Sequence, residues 1–474
     1  MTVTPYCANL FQDCQDLRQF LLTFKQTCVE KDNTQIVSIS QKIPSIDPLA
    51  VLDAIALPDQ LHFYFEKPAQ GEAIAAIDTA TSVKLSHSDR FSQAQKFINS
   101  CLAKTSSTGT LNLPFSGPHF FCSFTFFDDN LHDASPFPAA TIFLPRWQIS
   151  SKKNSSVVVA NIVIDSNVNY DLLSQNIWEE FQAISSAISK NVNSPVRPRL
   201  HNFKNSDLKA NNNFKASVVS ALESINRKHI NKIVLSDAID VTANAPFNLV
   251  HSLNNLRIMH PDCYVFSTSN GKGQNFIGAS PERLIKIHNR ELETDALAGS
   301  APRGKTAIED AYFADGLLTS EKERHEHRVV SDFIIQRLSK LGLNPQRMPL
   351  PLLLKLSNIQ HLWTPIRASV PAGVHPLEIV AELHPTPAVA GDTREIACKQ
   401  IRRYESFNRC LYAAPLGWVN HRGDSEFIVG IRSALIDNCR ARLYAGAGIV
   451  AGSDPDKELA EIQLKLQALL KALV

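Results

Sequence analysis

The chain lacks the features that would assign it at once. Its nine cysteines, at 7, 14, 28, 101, 122, 263, 398, 410 and 439, stand singly with no C-x-x-C pair. An odd, scattered set excludes a disulfide framework and a zinc ribbon, and reads as reduced structural thiols. Neither sign of charge dominates: 48 Lys+Arg face 46 Asp+Glu, a formal net charge of +2, with no basic run long enough to track phosphates. Nucleic acid is therefore excluded as a partner. Long apolar runs are missing too, since Phe333-Ile334-Ile335 and Leu350-Pro351-Leu352-Leu353-Leu354 fall far short of the roughly 20 residues that span a bilayer. No membrane partner is expected. Met1 to Cys7 offers no basic n-region and is soon followed by Asp13 and Asp16, which argues against a signal peptide. The expectation is a cytoplasmic, monomeric protein.

What is present is enough apolar material for a large interior: 474 residues, 44% hydrophobic, with 25 Phe. That is too long for one ordinary core at roughly 100–200 residues per domain. The division expected is an N-terminal region over 1–205, completing the same fold, and a catalytic part over 206–474. A polar stretch rich in Asn, Lys, Ser and Pro, 191–213, reads as the linker. Before it come strand-like runs at 60–65, 120–127 and 156–164 and a helix over 171–190, with no motif tied to chemistry. After it, the pattern predicts a helix over 214–227, a strand over 232–236, and strands over 263–268 and 276–287 flanking the turn Asn270-Gly271-Lys272-Gly273. Long strands joined by hairpins and interrupted by helices indicate an α+β fold.

Two helices carry carboxylates at the edge of an apolar stripe. The first opens near Ser320 and stops before Gly342; its stripe of Val330, Phe333/Ile334, Leu338 and Leu341 extends backwards onto Glu326. The bland alternative is an exposed Glu326 paired with a neighbouring Arg or His. The last helix has Asp454 and Pro455 as cap and first turn, a stripe of Leu459, Ile462, Leu466, Leu469 and Leu473, and Glu458 and Glu461 on one face at its start. Carboxylates in a first turn commonly only offset the macrodipole. Together, however, an oxygen-only set on two helices suits Mg²⁺ that keeps waters and shares positions with substrate. The run Tyr444-Ala-Gly-Ala-Gly-Ile-Val-Ala-Gly-Ser453 is neither G-x-G-x-x-G nor a Walker loop; it reads as a strand-to-helix turn or as a carboxylate site, with Arg432 as the clamp. In His325-Glu326-His327 the two histidines point in nearly opposite directions, so zinc chelation is rejected.

Read together, these segments resemble the chorismate-binding enzymes, the family of isochorismate, salicylate, anthranilate and aminodeoxychorismate synthases. The matching stretches are Lys232 to Ser236, Ile277-Gly-Ala-Ser-Pro-Glu-Arg-Leu284, Ala296-Leu-Ala-Gly-Ser-Ala-Pro-Arg-Gly304, Glu323-Arg-His-Glu-His327, Asn358-Ile-Gln-His-Leu362, His384 to Gly391, Glu405 to Gly417, Glu426 to Ala434, and Tyr444 to Lys465. They run in family order over about 214–474. The resemblance implies a large α+β fold with antiparallel sheets enclosing the site, one Mg²⁺, and chorismate as substrate. Carried over by position, Glu326 and Glu461, with Glu458 nearby, are the Mg²⁺ shell. By the same resemblance Tyr412, Arg432 and the amides near Gly446 and Gly448 look like the carboxylate grip, and His361 matches the family histidine that faces the ring.

Lys232 stands where the ammonia-using members usually carry Gln, which implies water as nucleophile, with Lys232 as base and Glu282 as acid. For that work Lys232 must be neutral, through burial or nearby positive charge, and Glu282 must be protonated in an apolar setting. The bland alternatives are a solvated strand-end lysine and a surface pair between Glu282 and Arg283. Ala298 replaces the lysine that attacks the ring in aminodeoxychorismate synthases, and Ala388 replaces a Thr common in lyase-competent members. The tail looks particularly like isochorismate synthases of cyanobacteria and plants, in menaquinone or phylloquinone synthesis. Salicylate synthase, an anthranilate synthase component and a catalytically silent chorismate-binding protein stay open as alternatives. The last is motivated by departures, with Cys410 and Ala414 at common glycine positions and Asp237 at a common arginine position.

Overall fold

The computed structural model describes residues 2–3, 10–24, 34–128, 135–190, 212–356 and 359–473. Strands gather into two large, almost wholly antiparallel sheets, of twelve and ten strands in register order, with Leu352–Lys355 as an additional strand beside Ile359–Ser369. Parallel pairing is confined to Thr105–Gly109 with its neighbours Gln35–Ile43 and Thr2–Val3. Many strands read as continuous apolar runs because both faces are covered: all six residues of His119–Phe124 are buried, as are all five of Ala140–Leu144. Phenylalanine fills much of the interior, with Phe63, Phe120, Phe121, Phe124, Phe266, Phe276 and Phe427 each almost inaccessible.

Each sheet is built from both halves of the chain. In the larger one His62–Lys67 pairs with Tyr264–Ser269, setting Phe65 opposite Phe266; in the smaller one His119–Phe124 pairs with Pro415–Asn420, setting Phe121 opposite Trp418. The linker expected over 191–213 lies mostly outside the described residues.

The expected helices form with their predicted stripes inward. Ser320 caps Glu321–Lys340 by accepting from the Glu323 N–H at 3.3 Å, and Val330, Ile334 and Leu338 are buried. Asp454 accepts from the Asp456 N–H at 2.8 Å to start Pro455–Leu473, whose Ile462, Leu466, Leu469 and Leu473 are buried. The strand expected over 276–287 is not continuous. The single strand read over 276–287 is two, Gln274–Ser280 in the larger sheet and Arg283–His288 in the smaller. Pro281 cannot donate to a ladder, and the chain changes sheets there. Ser425–Val429 and Ser433–Asp437 make the reverse crossing through Gly430 to Arg432. The two crossings lie side by side, joined by the Val429 N–H to the Glu282 carbonyl at 3.1 Å and the Ala279 N–H to the Arg432 carbonyl at 3.1 Å.

Candidate active site

A cavity of about 150 Å³ opens at this seam. Its wall brings together Lys232, Glu282, Glu326, His361, Ala388, Tyr412, Arg432, Gly446, Gly448 and Glu461, drawn from strands, helices and crossings far apart in sequence. Ala298 lines it too. Glu458 is not among the lining residues; its carboxyl takes a hydrogen bond from Ser453 at the helix start and feels the charge of Glu461.

Lys232 begins the strand Lys232–Thr242 and is 3% exposed, which removes the reading of a solvated lysine. Its Nζ donates to Glu326 Oε1 at 2.6 Å. The neighbour is thus an anion, not the positive or purely apolar setting expected for a resting neutral amine. Burial works against the Glu326 carboxylate, but the Lys232 ammonium outweighs it and holds the carboxyl below its usual range.

Glu282 occupies the crossing between sheets and is 6% exposed. Burial pushes its carboxyl up to about 8, against the opposing charge of Lys232. It is a neutral acid at neutral pH, poised to donate. The alternative pair with Arg283 does not form. That guanidinium turns to Asp295, with two bonds of 2.9 Å, and to Glu293.

The glycine-rich run is a strand, Arg440–Val450, not a turn. It pairs antiparallel with Lys232–Thr242, Ser236 facing Gly446 and Val234 facing Gly448. Ser236 and Val234 direct their N–H groups to Glu405 Oε1 and the Ala390 carbonyl, away from this ladder. The Gly446 carbonyl likewise leaves it, accepting from Lys465 Nζ at 2.9 Å. N–H and C=O of one residue point to the same side of a strand, so the Gly446 and Gly448 amides are turned to the free edge at the cavity. Side chains would obstruct this wall: a Cβ at Gly446 would lie 2.7 Å from the Tyr412 hydroxyl, and one at Gly448 3.3 Å from Glu326 Oε1.

Tyr412 is set by a buried ion pair absent from the sequence reading. Arg409 Nε and Nη2 donate to Glu405 at 2.8 and 2.5 Å, while Nη1 and Nη2 reach the Val389 and Val234 carbonyls, each at 2.8 Å. This ties 405–412 to the Lys232–Thr242 strand, and Tyr412 stacks on Tyr444 at 5.2 Å and 15°. Cys410 takes the left-handed backbone its usual glycine would supply, φ 52°; Ala414 has no positive φ and is fully buried. His361 Nδ1 pairs with Ser300 Oγ at 2.9 Å, and its Nε2 has no hydrogen-bond partner among the described residues. Burial, then the charges of Arg432 and Lys465, lower this imidazole to about 3, so it is neutral.

Sequence reasoning missed Ser300 and Lys465 as wall residues. Lys465 lies four residues after Glu461 on one helical face, a spacing that forecasts the observed 2.6 Å ion pair.

Among the described residues no three carboxylate, imidazole or thiol groups form a ready metal cluster. The donor chemistry nevertheless fits Mg²⁺. Glu326 and Glu461 both line the cavity, and each carboxylate carries a lysine ammonium at 2.6 Å, a positive charge that a cation would replace. Burial and the charge of Glu326 raise the Glu323 carboxyl, a further sign of crowded negative charge. His325 is exposed while His327 is buried against Thr364, so the two do not converge.

Residues 23–474 match the family described as "Chorismate binding enzyme". The salicylate biosynthesis isochorismate synthase of Pseudomonas aeruginosa is 39% identical over 262 residues, 55% of this chain and 54% of that protein. Isochorismate synthase 2, chloroplastic, of Arabidopsis thaliana is 30% identical over 335 residues, 70% of this chain and 59% of that protein. The chain thus spans a little over half the length of these curated relatives. The fold is that of MenF, the menaquinone-specific isochorismate synthase from Escherichia coli, with a TM-score of 0.78 over 96% of this chain and all of that one at 24% identity. Anthranilate synthase component I from Streptococcus pneumoniae shares it, at 0.68 over 84% of this chain and 92% of that one, 21% identical. The chain belongs to the chorismate-binding enzyme family.

Proposed function

We propose that this protein is an Mg²⁺-dependent isochorismate synthase, acting in the cytoplasm on the route to menaquinone or phylloquinone. The observation that carries the reading is one cavity holding a lysine, a protonated buried glutamic acid and an arginine without a carboxylate partner among the described residues. Arg432, Tyr412 and the strand-edge amides bind the substrate's carboxylate. Lys232 accepts a proton from water as its oxygen bonds to C2; the ring double bond shifts as the C4–O bond breaks, and Glu282 protonates the departing hydroxide. One water enters, one leaves, and the proton returns from Lys232 to Glu282 through solvent. Glu326 and Glu461 would hold a divalent cation, which would supply Lewis-acid polarisation of the ring carboxylate. Ala298 offers no amine for covalent attack on the ring, and Lys232 supports water over ammonia as nucleophile.

The test is purified protein with chorismate, with and without Mg²⁺, and chromatography of the products. Isochorismate formed only with the metal is expected. Salicylate with pyruvate would reassign the chain to salicylate synthase, anthranilate from ammonia to the anthranilate branch, and calorimetric binding without turnover to a silent binding protein.

A further inference from the structure

Arg432 is the only arginine on the cavity wall among the described residues, and no carboxylate reaches it. Its backbone is left-handed, φ 50°, a conformation that costs a non-glycine residue energy and persists only when its surroundings fix it. Two features fix the backbone: the Ala279 N–H bonds its carbonyl, and Gly278 lies so close that a Cβ there would come within 2.6 Å of that oxygen. Among the described residues the side chain has a single hydrogen-bond partner, the Cys263 thiol, with Nη1 to Sγ at 3.9 Å. Cys263 is 4% exposed and stands just before the strand Tyr264–Ser269. Asp262, next to Cys263 in the chain, bears on the thiol, and no carboxylate among the described residues pairs with the guanidinium. Burial and Arg432 itself lower His260 to about 4, His361 is neutral, and the Lys465 ammonium is already bound to Glu461.

We infer that Cys263 is a positioning residue, whose neutral thiol steadies the Arg432 guanidinium at the cavity wall without neutralising it. A thiol is a weak acceptor, so it orients the fork and leaves the charge for an incoming carboxylate. An acid in its place would form an internal ion pair that substrate must break. The inference rests on the reading of an anionic substrate in this cavity.

Cys263→Asp and Cys263→Asn are nearly isosteric and differ in charge, so the pair separates neutralisation from packing. With chorismate and Mg²⁺, Cys263→Asp is expected to raise KM about tenfold over Cys263→Asn, with kcat of the two within about twofold. Equal KM values, or a loss confined to kcat, would overturn the inference. Should Cys263→Asp fail to fold, Cys263→Ala and Cys263→Ser decide: KM about threefold up in the first and restored in the second supports it, and an unchanged KM in the first overturns it. Absence of chorismate binding by the unaltered protein would instead overturn the functional reading, and shows before any variant is compared.

Discussion

Two arginines beside the same cavity are treated in opposite ways. Arg409 is wholly buried and fully matched, with a bidentate carboxylate and two carbonyls around it. Arg432 opens to the cavity, sits on strained backbone and, among the described residues, has only a thiol. The first pattern holds a fold together, because every donor is answered from within the chain. The second leaves an unanswered charge where an anion can enter, and so marks function. The carboxylates divide the same way: Glu405 is spent on Arg409, whereas Glu282 is buried and takes no side-chain partner in the hydrogen bonds and ion pairs of the described residues.

The largest effect should come from the unanswered groups. Lys232→Gln and Glu282→Gln should each lower kcat by about 10²–10⁴-fold while chorismate binding, read by calorimetry, persists. Near-normal rates in either variant would end its assigned role. Arg409→Ala should strand a buried Glu405 and cost about 3–5 kcal/mol in urea unfolding; a loss within error would erase the contrast. Arg432→Ala should leave unfolding unchanged and weaken chorismate binding about 10–100-fold, the worth of a charge-assisted pair. A large stability loss there would place Arg432 with Arg409.

The mildest probe is pH. Glu282 donates only when protonated, so the rate should fall as pH rises through about 8. Its folded pKa is raised above the unfolded value, so its stabilising protonation is fully present below about 4.5 and is lost progressively as pH rises towards 8. Glu282→Gln should flatten that part of the stability profile, and an unaltered profile would show that Glu282 is not the titrating group.

Much of this was legible beforehand where the signal is local. The stripes ending at Glu326 and Glu461, the Asp454 cap and the α+β pattern follow from spacing and capping chemistry. The family motifs brought ten wall residues to notice. What escaped depends on contacts across the chain. A break at Pro281 is audible in sequence, but not that it throws Glu282 between two sheets. The glycines of 444–450 read as a turn because their reason, room for Tyr412 and Glu326, comes from residues far away in sequence. The resting partner of Lys232, a carboxylate 94 residues on, has no local trace.

The central claim is that Lys232 and Glu282 add water to chorismate. It is tested most directly by turnover with Mg²⁺ in ¹⁸O-water, with the product analysed by mass spectrometry. The account predicts isochorismate carrying one heavy oxygen, at C2. Unlabelled isochorismate, or none at all, would contradict it.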